Sequence, residues 1–170
     1  MRERILAEAR RLTLQSGAVP SLNAVAAAAE VSKGGLMHHF ASRSALVSGL
    51  ARQALDEVDA AMADAVARGN AAETWLRLSA ADADERGLLR ALAGGFRPEA
   101  GEASALLADA RDALARWERA IASEVGDPVR ARVIRLVGDA LVANAIAGVE
   151  AADGIDDLVR HLVPESGATR

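Results

Sequence analysis

The only lysine of this chain, Lys33, stands in the run Val31-Ser32-Lys33-Gly34-Gly35-Leu36-Met37-His38-His39-Phe40, together with two of the three histidines. Ser21 precedes it, and Ser42 and Arg43 follow it. These residues are mostly hydrogen-bond donors and cations, the chemistry that meets phosphate oxygens and the acceptor edge of guanine. The serines also suit helix N-caps, and a capped helix start with a hydroxyl binds phosphate as well. Gly34 and Gly35 are harder to justify locally, since each costs about 1 kcal/mol against alanine inside a helix. Such a cost is tolerated where another molecule must approach the backbone closely.

Other chemistries find less support. His38 and His39 are neighbours, so on a helix they point about 100° apart and do not converge on one metal. No carboxylate or cysteine lies close by, and one imidazole is expected at the outer surface with the other partly packed. His161 reads as a surface residue near a helix end. The chain has no cysteine, which excludes disulfides and thiolate metal sites. Nothing resembles a nucleophile beside a positioned base, and Gly34-Gly35 and Gly94-Gly95 are too isolated for a phosphate-binding loop. Acid pairs such as Asp82/Asp84 and Asp156/Asp157 suit helix starts and solvated faces. No catalytic residue, metal or cofactor is expected, and the chain does not read as an enzyme.

The elements that must carry these residues read as helices throughout. Alanine dominates, tyrosine is absent, and β-branched and aromatic residues are scarce, so the fold class is all-α. Arg2 to Ser16 is amphipathic and stops at Gly17, and Pro20 keeps Val19 extended. Ser21 caps a short helix, Leu22 to Ala29, and Glu30-Val31 turns the chain. Ser32 then caps Lys33 to Phe40, with Leu36 and Phe40 directed inward and the side taken by Met37 left open. Two short helices about such a turn read as a helix-turn-helix, over about residues 21–40, whose second helix enters a DNA groove.

Ser42 caps a long helix to about Arg68, and Asn70 with Glu73 fits a capping box for the next. A further helix opens at Asp82 or Asp84 and ends at Gly94-Gly95. The next runs from about Ala103 to Val125. Gly126-Asp127-Pro128 stops one helix and starts another, predicted to reach about Ala151 with Arg130, Arg132 and Arg135 exposed. Ile155 to Leu162 closes the chain.

Charge divides along the same line. Residues 1–55 hold seven basic and three acidic side chains, whereas the whole chain carries a net charge of −4, so a basic head sits on an acidic body. Neither a signal peptide nor a membrane span is expected. The longest nearly uncharged apolar run, 140–149, is half of the roughly 20 residues that a span needs. A cytoplasmic protein follows.

The order of these blocks resembles the DNA-binding head of the TetR (tetracycline repressor) family of bacterial transcription regulators. The likeness covers roughly residues 2–50. It consists of Ile5-Leu6-x-x-Ala9-x-x-Leu12 with Gly17, Ser21-Leu22-x-x-Val25-Ala26, Val31-Ser32-Lys33-Gly34, His38-His39-Phe40 and Ser42-Arg43-x-x-Leu46. Thr13 stands where the family usually has an aromatic, Glu30 replaces the usual turn glycine, and Met37 sits where tyrosine is common.

The resemblance implies a three-helix DNA-binding head, residues 1–50, joined to a helical regulatory and dimerisation body, residues 51–170. It implies a homodimeric regulator, a repressor in the first instance, that binds double-stranded DNA at a palindromic operator through Ser21, Ser32, Lys33, Gly34, Gly35, His38, His39, Ser42 and Arg43. A small apolar or amphipathic effector is expected among Met62, Trp75, Leu78, Leu88, Leu92, Phe96 and Trp117, with Asn144 and Arg77 as polar contacts. The last long helices are expected to form the dimer contact, with Leu114, Val137, Leu141, Ala145 and Ile146 in it. The alternative is a helical protein–protein interaction module that has lost DNA binding.

Overall fold

The computed structural model describes residues 1–80, 82–95, 100–149 and 154–164. Among them the chain is all-α, with helices α1 (Arg2–Ser16), α2 (Leu22–Ala28), α3 (Lys33–His39), α4 (Arg43–Arg68), α5 (Ala71–Ser79), α6 (Ala83–Gly95), α7 (Ala100–Val125), α8 (Pro128–Ala147) and α9 (Ile155–Leu162). They divide into two compact units. One combines Met1–Leu55 with Ala83–Asp109, and the other Asp56–Asp82 with Ala110–Arg170.

In the first unit the apolar stripes of the head helices meet in one core, built from Ile5, Leu6, Ala9, Val25, Leu36, Phe40, Leu46, Val47 and Leu50. Leu88 and Leu92 of α6 pack into the same core, so α6 is a structural part of this unit. Phe40 lies so close to α4 that a Cβ on Gly49 would come within 2.7 Å of its Cε1. Thr13 is fully buried, and its hydroxyl donates to the Ala9 carbonyl one turn back at 2.7 Å. That bond satisfies the hydroxyl where an apolar ring would otherwise fill space.

In the second unit α5 packs against both α8 and α9. Trp75 lies at the centre, its ring centroid 5.2 Å from that of Trp117. Both indoles are buried with their N–H groups satisfied: Trp75 donates to the Arg135 carbonyl at 3.2 Å and Trp117 to Asp59 at 2.6 Å. Arg116 pairs with the other oxygen of the same carboxylate.

Two expectations about helix ends and one about exposure need correction. Asn70 stands at the N-cap of α5 but makes no side-chain cap bond, and Glu73 pairs with Arg77 at 2.7 Å instead of closing a capping box. The free N–H of Ala72 is met from another helix, by Glu124 at 3.1 Å. Secondly, α8 stops at Ala147, where Gly148 takes the left-handed conformation (φ 75°). Thirdly, Arg135 is largely covered, held by Glu118 at 2.6 Å and by Asp139. The Asp127 N-cap and Pro128 start α8 as expected, with the aspartate accepting from Val129 and Arg130.

Candidate nucleic-acid interface

The site is the outer face of α3, and its position follows from two side chains on the inner face. Leu36 and Phe40, one turn apart, are buried in the head core and fix the rotation of the helix about its axis. The remaining residues then face outward in three rows at i, i+4 spacing: Lys33 with Met37, Gly34 with His38, and Gly35 with His39. All six are exposed.

Both flanking joints are fixed locally. The Ser32 hydroxyl oxygen accepts from the Gly35 N–H at 3.0 Å, capping α3, and Ser21 caps α2 by accepting from Ala24 at 3.2 Å. Ser42 does the same for α4 through Ala45 at 3.0 Å. Each hydroxyl keeps its proton as a donor, so capping and contact with an outside acceptor are compatible. Glu30 makes the turn between α2 and α3 with φ 51°, among the described residues the one non-glycine with a positive φ. A carboxylate side chain tolerates that conformation less readily than glycine does, and the surrounding helices hold it there.

One side-chain placement that the sequence left open is decided here, and one expectation is corrected. Met37 is not packed inward: it is 44 % exposed and stands one turn after Lys33. His38 and His39 are both exposed, with ring centroids 5.5 Å apart in an edge-to-face arrangement, so neither is spent on the head core. Arg43 has a positioning job in addition to its charge, because its Nη2 donates to the Val19 carbonyl at 2.6 Å and ties α4 to the α1–α2 connector. Arg2, which sequence reasoning passed over, lies with its guanidinium 5.2 Å from the Phe40 ring centroid, at the far end of α3 from Lys33. Its signal in the sequence was weak, because nothing local links residue 2 to residue 40.

The expected effector residues do not all come together. Met62, Trp75 and Trp117 are buried in the second unit, whereas Leu88 and Leu92 belong to the core of the first. Leu78 and Asn144 are exposed, and Arg77 is paired with Glu73 and Asp156. Phe96 lies outside the described residues. Of the expected dimer residues, Leu141 and Ala145 are buried within their own chain on the side of α8 that carries Ala131, Ile134 and Gly138. Leu114 and Val137 are half-buried, and Ile146 is exposed. No described helix is long and apolar enough to cross a membrane.

Comparison with known proteins bears on the same segment. Residues 5–50 match the family model for bacterial regulatory proteins of the tetR family. No curated protein matches the chain. Among solved structures, a member of the TetR family from Streptomyces coelicolor A3 is similar at a TM-score of 0.62, with 24 % identity over 96 % of this chain and 98 % of that one. At that identity the likeness concerns the fold.

Proposed function

Starting from a head, residues 5–50, of the tetR family of bacterial regulatory proteins, we propose that this chain regulates transcription by inserting α3 into the major groove of DNA. The observation that carries the reading is the outer face of α3. A helix fixed from behind by Leu36 and Phe40 presents a lysine, two imidazoles and two bare glycine backbones. Lys33 meets a phosphate or a guanine edge, and the glycines let the groove come close. Ser21, Ser32 and Ser42 offer donors to the phosphates on either side.

The regulator acts as a homodimer on a palindromic operator, and as a repressor. Support for the dimer comes from α8, which bears a second apolar seam on the side away from its own core. Val129, Val133, Leu136, Ala140, Ala143 and Ala147 follow the 4-3-4-3-4 spacing of a helix–helix seam, and all are exposed. This seam replaces Leu141 and Ala145 as the proposed contact. Two heads so joined read two half-sites about one helical turn, roughly 34 Å, apart. A small apolar effector would pack against Met62, Trp75 and Trp117, three of the large buried side chains of the second unit.

Titration of the protein against the DNA flanking its own gene tests this directly. Affinity is expected to fall steeply with rising salt, as phosphate contacts require, and Lys33→Ala is expected to weaken binding roughly tenfold with helical content unchanged. A flat salt response, or equal affinity for the Lys33→Ala protein, would overturn the assignment.

A further inference from the structure

We propose that Met37 reads the methyl group of a thymine in the major groove and thereby sets part of the sequence preference of the head. The proposal rests on the DNA-binding reading above and goes beyond it by assigning a base. On α3 the exposed positions are otherwise polar or lack a side chain: Lys33, Gly34, Gly35, His38 and His39. Met37 is the large apolar side chain among them, 44 % exposed on a helix whose inner face already has Leu36 in the core. One exposed methionine on an arbitrary surface needs no explanation. On a helix face that meets base edges it faces a restricted set of partners.

Those partners differ in one respect. In the major groove the base pairs offer acceptors and amino donors, and the single apolar group is the C5 methyl of thymine. Pressing a thioether against an amino or carbonyl edge strips water from that edge and returns no hydrogen bond. Against a methyl group it buries apolar surface on both sides. The side chain is unbranched and polarizable, so it conforms to such a contact.

The neighbours of Met37 support this placement. Lys33 precedes it by one turn on the same row, so a cation takes the adjoining phosphate or guanine while the thioether takes the methyl. Gly34 borders it on the adjacent row, and a Cβ built there would meet nothing within 4 Å. The packing of the protein therefore does not require glycine at 34, whereas a surface approaching Met37 gains from the bare backbone beside it. Gly35 differs, since a Cβ there would lie 3.2 Å from the Ser32 hydroxyl that caps the helix.

The test uses the full chain and the tightest duplex recovered from a randomised pool, resynthesised with deoxyuridine replacing one thymine at a time. Deoxyuridine removes the methyl and leaves the pairing intact. For the unaltered protein one replacement per half-site is expected to lower affinity about fourfold, the worth of one buried methyl. Met37→Ala should bind the thymine and uracil duplexes alike, and Met37→Leu should keep the preference. Met37 is half exposed, and circular dichroism on both variants verifies the fold. Retention of the full thymine preference by Met37→Ala overturns the proposal. So does indifference of the unaltered protein to every replacement while it binds the selected duplex with a steep salt dependence. Recovery of no duplex at all would instead overturn DNA binding, and this assignment with it.

Discussion

At Gly138 the α8 backbone passes so near Trp75 that a Cβ would overlap the indole and stand 2.7 Å from the Ser79 hydroxyl. The obstacles are a ring clamped by its bond to the Arg135 carbonyl and the buried face of α5 that carries Ser79, and neither can move aside cheaply. Gly138→Ala is therefore expected to destabilise the chain by about 3 kcal/mol, the upper part of the usual overpacking range. Chemical denaturation checks this, and a gain in stability like that expected of Gly87→Ala, where an added Cβ meets nothing and alanine is the better helix former, would contradict the close approach. Single residues also mark the limit of what sequence discloses. The roles of Ser21, Ser32 and Asp127 as caps were legible because a cap depends on a few consecutive residues. The outward turn of Met37 was not, because it depends on which neighbour, Leu36 or Met37, the core accepts.

Elements are held to one another by a few charged ties whose strength depends on pH. Between α7 and α8, Glu118 accepts from Arg135 at 2.6 Å and Arg132 at 3.2 Å. The hydrogen bond from Arg135 is the chief cause that holds its carboxyl below the ordinary carboxylate value. The bond from Arg132 adds to it, and burial opposes both. A carboxylate depressed in the folded state contributes stability above its unfolded pKa and loses that contribution as the pH falls through its folded pKa. The destabilisation caused by Glu118→Gln should accordingly be largest near neutral pH and shrink below about pH 4. Thermal melts of both proteins across that range decide it, and a pH-independent difference would assign Glu118 a packing role instead. This tie, like the Glu124 bond to Ala72 that replaces the expected Asn70 cap, joins residues on different helices. Helix existence and most helix ends could be read from local pattern. Such cross-helix bonds could not.

At the scale of the whole molecule, the proposed dimer turns on the outer seam of α8. Leu136→Glu combined with Ala143→Glu places two charges on that seam while leaving Ile134, Gly138 and Leu141 in the core. The double variant is expected to sediment as a monomer with helical content preserved. It should bind a palindromic duplex at least about tenfold more weakly, because the second head no longer engages as part of one molecule. A monomeric unaltered protein, or a dimeric double variant, would refute the seam.

Taken alone, the sequence determined the all-α class, the basic head, the capped helix pair and the outward lysine. These rest on composition, local spacing and caps, which act over a few residues. Only the tertiary structure decided that α6 completes the core of the head, that Met37 faces outward, and which side of α8 is spent within the chain. Residues 129–147 are apolar on two opposite faces, so periodicity alone fits either side to α5. The choice is made by Trp75, whose indole fits against α8 only where Gly138 leaves room for it.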